Sequence, residues 1–228
     1  NNEMSVADYL DYWLENIIKQ NIGTNYTMNT YRDYESKIRI HLKPAFGEYR
    51  LGSFQFAPDK VQEWIDKMKT NGYAKSMVSN TLACLSGAMN YAVVPLNYIQ
   101  SNPCIYVKVG KMPINKKAKE KNEYILSRED YNQILERFPE SSNFYLSLLV
   151  PYNTGTRLSE TFGIDLYKDV DFVNHTLTIS QQIYKEGGQW FYRPPKYDSY
   201  RTIKIGQTLE KALKSEILNR KKIMLQYG

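Results

Sequence analysis

Two short segments of this chain carry cationic side chains at a spacing that suits chemistry on a phosphate ester. Arg157 and Glu160 follow Gly155, a helix-ending residue, so one helical turn can place both side chains at one site. Lys196 lies further along, in a Pro-Pro-Lys-Tyr-Asp stretch between two strand-like runs. An arginine presents a planar fork of donors and a lysine presents a mobile positive charge, and phosphodiester oxygens accept both. The two segments therefore predict a site that acts on a phosphodiester.

Each of these residues also has an ordinary interpretation. Arg157 and Glu160 could form a surface ion pair three residues apart, worth about 0.2–0.5 kcal/mol. Lys196 could be a solvated turn lysine. Of the two histidines, His41 is expected to be a cation at a helix C-terminus and His175 a surface residue.

Composition limits the classes of function. The 228 residues carry a formal net charge of +6 and a sequence pI of about 9.0, which favours a polyanionic partner. Cys84 and Cys104 are too few for a disulfide scaffold and lie outside any metal-binding motif, so we expect no structural zinc. No apolar run approaches the roughly 20 residues that span a bilayer. The reducing cytoplasm is therefore the expected compartment.

An all-helical domain is predicted over residues 1–103. Apolar residues recur at helical spacing in four segments, which are 5–19, 27–42, 58–69 and 76–94. Ser5 with Asp8 fits a capping box at the first helix, and Pro44 with Gly47 should stop the second.

Residues 104–126 predict an extended basic linker. Six lysines stand against two glutamates there, and Pro113 and few apolar residues disfavour regular structure. We expect this linker to lie along a DNA backbone; a solvated spacer is the alternative left open.

A mixed α/β domain is predicted over residues 127–228. Ser127 should cap a helix, and the apolar run 144–150 should form a buried helix before the arginine turn. Strands are predicted at 170–172, 176–183, 190–193 and 201–205, with a hairpin through Gly187-Gly188 and a final helix over 208–225. The expected fold class is mainly α with a small antiparallel β-sheet.

Four motifs, in this order, resemble one family. They are His-Leu-Lys-Pro-Ala-Phe-Gly at 41–47 with Leu51, Asn-Pro at 102–103, Thr-Gly-Thr-Arg-Leu-Ser-Glu at 154–160, and Pro-Lys-Tyr-Asp-Ser-Tyr-Arg-Thr-Ile at 195–203. The set resembles the tyrosine recombinases, or phage-integrase family, and especially the integrases of conjugative transposons from low-GC Gram-positive bacteria. The resemblance covers nearly the whole chain, with an all-helical core-binding domain ahead of the catalytic domain.

The resemblance implies a site-specific DNA recombinase that cuts and rejoins DNA through a 3′-phosphotyrosyl intermediate. Arg157 would clamp the scissile phosphate, Lys196 would protonate the departing 5′ oxygen, and Glu160 would orient neighbouring basic groups. It implies no metal and no cofactor. The implied partner is double-stranded DNA at mobile-element ends, bound by an oligomer of up to four copies, in the bacterial cytoplasm with the nucleoid.

The chain departs from the family pattern after its last predicted helix. The family continues with a His-x-x-Arg motif and a nucleophilic tyrosine, and these 228 residues contain no His-x-x-Arg. Tyr227 does not occupy the family's nucleophile position. We therefore expect this chain to bind DNA but not to cleave it.

The resemblance also implies where DNA is contacted. The second and fourth helices should present polar and basic residues to the duplex, namely Asn29, Thr30, Arg32, Tyr34, Lys37, Arg39, Lys75, Ser76, Ser79 and Asn80. Arg201 and Lys204, on the strand after Lys196, are predicted contacts with the DNA backbone. Asparagine and arginine can bond base edges, whereas lysine, serine, threonine and tyrosine mostly fix the backbone register.

Two other functions stay open at this point. The chain could be a naturally truncated regulator that occupies recombination sites without cutting them. It could also be a basic helical protein that binds RNA, although the absence of a base-stacking motif argues against that.

Overall fold

Helices build the first of two units. The computed structural model describes residues 3–111 and 125–227, and it divides into units spanning residues 1–123 and 124–228. Helix α1 (Val6–Trp13) begins after Ser5, whose hydroxyl accepts the backbone N–H of Asp8, as the sequence predicts. The helical path continues through a π turn and a 3₁₀ turn to Asn21.

The second helix runs past the proline that was expected to stop it. Helix α2 (Met28–Lys37) is capped by Thr27 and leads through a π turn (Ile38–Leu42) into α3 (Lys43–Phe46). Pro44 lies in the first turn of α3, where a missing backbone N–H leaves no hydrogen bond unmade. The helical path therefore ends only at Gly47.

Three more helices complete the core of the first unit. They are α4 (Leu51–Phe54), α5 (Pro58–Thr70) and α6 (Lys75–Val93). Their apolar faces join those of α1 and α2 around fully buried Tyr9, whose hydroxyl donates to the carbonyl oxygen of Ala88 at 2.5 Å. Within the described residues, no helix of either unit is long and apolar enough to cross a membrane.

The start of the predicted linker packs against this helical core. Pro103–Tyr106 forms a 3₁₀ turn capped by the Asn102 side chain, and Val107 and Val109 contact the core. Burial raises the pKa of the Cys104 thiol to about 12. Residues 112–124, which include most of the predicted linker, lie outside the described residues.

Over residues 125–227, the second unit combines four helices with two small sheets. The helices are α7 (Arg128–Arg137), α8 (Tyr145–Thr154), α9 (Leu158–Thr161) and α10 (Gln207–Tyr227). Ser127 and Asp130 form a complete capping box at the start of α7. Strands β1 (Val170–Asp171), β2 (Thr176–Ile179) and β5 (Arg201–Lys204) form an antiparallel sheet in the order β1-β2-β5.

The single strand predicted at 176–183 is two strands in two sheets. Strand β3 (Gln182–Glu186) leaves the first sheet and pairs with β4 (Gln189–Arg193) through the predicted Gly187-Gly188 turn. The break lies at Ser180 and Gln181, whose side chains donate to an Asp169 carboxylate oxygen and to the Gly163 carbonyl oxygen, each at 2.8 Å. These bonds draw the chain away from the direction of β2.

The core of the second unit lies between the β1-β2-β5 sheet and helices α8 and α10. Leu177, Leu209 and Leu213 are almost fully buried in it. Leu218 and Met224, in the later part of α10, are 58% and 68% exposed because the core contacts only the first part of this helix. The fold is mainly α with small antiparallel sheets, which confirms the predicted class.

Candidate phosphate-binding site

The arginine motif forms a closed turn between two helices. Gly155 ends α8 in the left-handed region, with φ of 64°. Arg157 then precedes α9 in extended conformation, and its backbone N–H donates to a Glu160 carboxylate oxygen at 2.9 Å. Its Nη1 donates to the other carboxylate oxygen at 2.6 Å. The predicted proximity of Arg157 and Glu160 is thus observed as a doubly bonded turn.

Glu160 is the centre of the site. Its side chain is fully buried, and Arg201 Nη2 donates to Oε2 at 2.6 Å. Burial alone raises the pKa of this carboxyl, but the hydrogen bonds from Arg201 and Arg157 outweigh it and lower the pKa to about 2. Glu160 is therefore a carboxylate at neutral pH, and it holds two guanidinium groups.

Both guanidinium groups remain partly open to solvent. The Arg157 side chain is 51% exposed and the Arg201 side chain 30% exposed. Within the described residues, Nε and Nη2 of Arg157 make no hydrogen bond. A fixed guanidinium with unused donors is an anion-binding group, and the fork geometry suits two oxygens of one phosphate.

Lys196 lies in an exposed turn, as predicted. The turn Lys196–Asp198 follows buried Pro195, and Tyr197 and Asp198 lie in the left-handed region with φ of 61° and 50°, so this turn is not a regular helix. The Lys196 ammonium lies 4.9 Å from the centroid of the Tyr197 ring. The strands that flank this turn, β4 and β5, pair with β3 and β2 in different sheets.

Arg201 and Lys204 do not act as a pair. Arg201 points toward Glu160, whereas Lys204 lies at an alternating, exposed position of β5 and donates to the Asn174 carbonyl oxygen at 3.0 Å. The sequence offered Arg201 only as a contact with the DNA backbone and missed its ion pair. A signal was available: Arg201 and Ile203 are two residues apart on β5, so their side chains lie on the same face of the sheet, and Ile203 is half-buried.

The residues predicted to contact DNA, which lie on α2, on the π turn after it and on α6, divide into two groups. The exposed group comprises Asn29, Arg32, Arg39, Lys75, Ser76 and Asn80. Thr30, Tyr34, Lys37 and Ser79 are half-buried. Tyr34 stacks on Trp13 at 5.5 Å between centroids, and burial raises its pKa; the Lys37 side chain is only 16% exposed and pairs with Asp33. The side chains of the exposed group are open to solvent.

The two histidines lie outside the arginine turn. His41 is not the terminal cation expected, because the helical path continues to Phe46 and burial lowers its pKa. The ring of His41 packs edge-on against Tyr73. His175 is largely exposed, as predicted, and its Nδ1 lies 2.7 Å from a Glu210 carboxylate oxygen.

Comparison with known proteins shows what this chain resembles. Residues 5–69 match the phage integrase N-terminal SAM-like domain. The chain is 24% identical over 169 residues to the transposase from transposon Tn916 of Enterococcus faecalis, and equally to that from Tn1545 of Streptococcus pneumoniae. These matches cover 72% of this chain but 40% of each transposase.

The fold of this chain is also similar to the folds of solved integrase structures. The Tn1549 transposon integrase in complex with transposon right end DNA superposes with a TM-score of 0.72 at 21% identity, covering 96% of this chain and 66% of that one. A lambda integrase tetramer bound to a Holliday junction gives a TM-score of 0.59 at 16% identity, covering 85% and 51%. Together the matches confirm the resemblance of this chain to the tyrosine recombinases of the phage-integrase family, and within it to the integrases of conjugative transposons.

Proposed function

We propose that this chain is part of a site-specific DNA recombinase of a mobile element, which cuts and rejoins DNA through a 3′-phosphotyrosyl intermediate. The observation that carries the proposal is the half-exposed Arg157 guanidinium, fixed on a buried carboxylate that Arg201 also binds. A rigid pair of guanidinium groups costs little reorganisation when an anion arrives. The proposed activity is that of a whole recombinase, and the match of this chain spans 40% of the length of the transposases.

Each residue has one task in the proposed reaction. A tyrosine oxygen attacks the phosphorus, and the bond to the 5′ oxygen breaks. Arg157 donates to the non-bridging oxygens and stabilises the charge that grows on them in the transition state. Lys196 gives its proton to the departing 5′ oxygen, and Glu160 keeps both guanidinium groups in place. The reaction consumes no cofactor, because the phosphotyrosyl bond keeps the bond energy of the broken phosphodiester for the rejoining step.

The proposed partner is double-stranded DNA at the ends of a mobile element, bound by an oligomer. Supporting this, the Tn1549 integrase structure holds transposon right end DNA, and lambda integrase forms a tetramer on a Holliday junction. The proposed contacts of the helical unit are the exposed residues Asn29, Arg32, Arg39, Lys75, Ser76 and Asn80. A DNA partner would place the protein in the cytoplasm with the chromosome.

Binding and cleavage are tested together with a nicked duplex that traps phosphotyrosyl adducts. We expect the 228-residue chain to shift this duplex in a native gel but to form no adduct that survives denaturing electrophoresis. Double-stranded RNA of the same length serves as the competitor, and it should compete weakly. A covalent adduct would contradict the expectation that these residues bind without cleaving, and equal binding of RNA would contradict the proposed partner.

A further inference from the structure

Gln182 is a buried amide between the arginine turn and the lysine turn. It is the first residue of β3 and is 4% exposed. A buried primary amide is costly unless its donors and acceptor are used. Nothing in the proposed chemistry requires a glutamine at this position, so its contacts need an explanation.

Both ends of this amide are bonded. Oε1 of Gln182 accepts the Ser159 hydroxyl at 3.1 Å, and Nε2 donates to the Pro194 carbonyl oxygen at 2.9 Å. A carbonyl oxygen can only accept, so the amide nitrogen must face Pro194, which fixes the orientation of the group. Ser159 belongs to α9, and Pro194 precedes the Lys196 turn by two residues.

The lysine turn is therefore held to α9 at both of its ends. Its beginning is held through Pro194, Gln182 and Ser159. Its end is held through Arg201, which donates to Glu160. Ser159 and Glu160 are consecutive residues of the same short helix that follows Arg157.

A close backbone approach supports this link. A Cβ added at Gly163, just after α9, would lie 2.8 Å from the Gln181 carbonyl oxygen and 2.8 Å from Gln182 Cα. The side-chain Nε2 of Gln181 also donates to the Gly163 carbonyl oxygen at 2.8 Å. Strand β3 thus starts in direct contact with the end of α9, which leaves Gln182 little freedom to move.

We propose that Gln182 is a positioning residue that sets the Lys196 turn relative to Arg157. The inference rests on the proposed function for its purpose, but its geometry can be tested without DNA. The hydrogen bonds of the Gln182 side chain go to Ser159 and Pro194, not to Arg157 or Lys196. Its effect on DNA must therefore pass through the turn.

The first test measures backbone amide exchange in the free chain. Gln182→Met keeps the length of the side chain but removes both hydrogen bonds. The N–H groups of Asp198 and Tyr200, which bond to the Pro195 and Asp198 carbonyl oxygens, should then exchange about tenfold faster. Gln55→Met is the matched control, since it removes two amide hydrogen bonds in the first unit, which contains no part of the turn. Equal exchange at Asp198 and Tyr200 in wild type and Gln182→Met would overturn the proposal.

The second test is a double-mutant cycle on affinity for a fluorescein-labelled DNA duplex. Gln182→Met should weaken binding about threefold to tenfold in the wild-type background and hardly at all beside Lys196→Ala. A general loss of structure would instead act equally in both backgrounds and would overturn the proposal. Lack of any duplex binding by wild type would refute the proposed function, while the exchange result would still decide the positioning role.

A milder substitution tests the proposal if Gln182→Met does not fold. Ser159→Ala removes only the hydroxyl that donates to the amide oxygen of Gln182. We expect amide exchange in the turn to be faster in Ser159→Ala than in wild type, and the loss of duplex affinity to depend on Lys196. Both effects should be smaller than those of Gln182→Met. Effects of Ser159→Ala that add fully to those of Lys196→Ala would count against the proposal.

Discussion

At the scale of single residues, the site depends on one buried carboxylate that serves two arginines. Glu160 accepts from the backbone and side chain of Arg157 and from the side chain of Arg201. Glu160→Gln should lower the free energy of unfolding by about 1–3 kcal/mol, because hydrogen bonds to a charged group are lost and the guanidinium groups are only partly compensated by water. Urea unfolding at neutral pH measures the loss. Glu216→Gln, which disturbs an exposed pair with Arg220, is the control and should cost less than about 0.5 kcal/mol.

The same carboxylate predicts a pH dependence. The folded-state pKa of Glu160 is lowered from 4.5 to about 2, so its contribution is complete above pH 4.5 and is lost as the pH falls toward 2. The difference in unfolding free energy between wild type and Glu160→Gln should therefore shrink over that range. A difference that stays constant from pH 5 to about pH 2 would show that the charge of Glu160 contributes nothing.

Residue types and spacing predicted part of this site. They placed Arg157 beside Glu160 and put Lys196 in a turn, since helical spacing and a Pro-Pro sequence are local signals. They missed the ion pair of Arg201 and the bridging role of Gln182. Those contacts join residues 41 and 23 positions apart, and pairing over such distances depends on sheet register that local patterns do not encode.

At the scale of elements, the contact between α9 and β3 decides where the two turns lie. Gly163→Ala should destabilise the second unit by about 1–3 kcal/mol, because its Cβ would press on the backbone of Gln181 and Gln182. Thermal and urea unfolding of the 228-residue chain measure the change. Wild-type stability in this variant would contradict the close approach.

Gly87 is a control, because its replacement by alanine should raise the stability of the protein instead of lowering it. Gly87 lies inside α6, and an added Cβ would meet only a Trp13 ring carbon at an ordinary 3.8 Å. Gly87→Ala should therefore stabilise the first unit by about 0.5–1 kcal/mol, since alanine loses less backbone entropy in a helix.

Elements were predictable where one local signal dominates. The capped helices at Ser5 and Ser127 follow their capping residues. The continuation of the helical path past Pro44 was not predictable. The π turn before it is followed by a new helix that begins at Lys43, and this places Pro44 in the first turn of that helix. The break at Ser180 was also not predictable, since it coincides with a side-chain bond to Asp169, which lies outside β2.

At the scale of the whole molecule, each unit has its own hydrophobic core, and the chain carries a net charge of +6. If the proposed duplex contacts engage six to ten phosphates, affinity should fall about 10³–10⁵-fold between 50 and 200 mM salt. Fluorescence anisotropy with a labelled duplex gives this slope. Affinity that is independent of salt would exclude backbone contacts as the main source of binding.

The most direct measurement compares duplex affinity for wild type, Arg157→Ala and Arg137→Ala at one fixed salt concentration. Arg137 is an exposed arginine of the same unit, in the last turn of α7, so its removal changes the net charge equally. If Arg157 clamps a phosphate, Arg157→Ala should weaken binding about tenfold or more, whereas Arg137→Ala should leave it nearly unchanged. Equal affinity of the two variants would contradict the central claim that the Arg157–Glu160–Arg201 cluster binds the DNA phosphate.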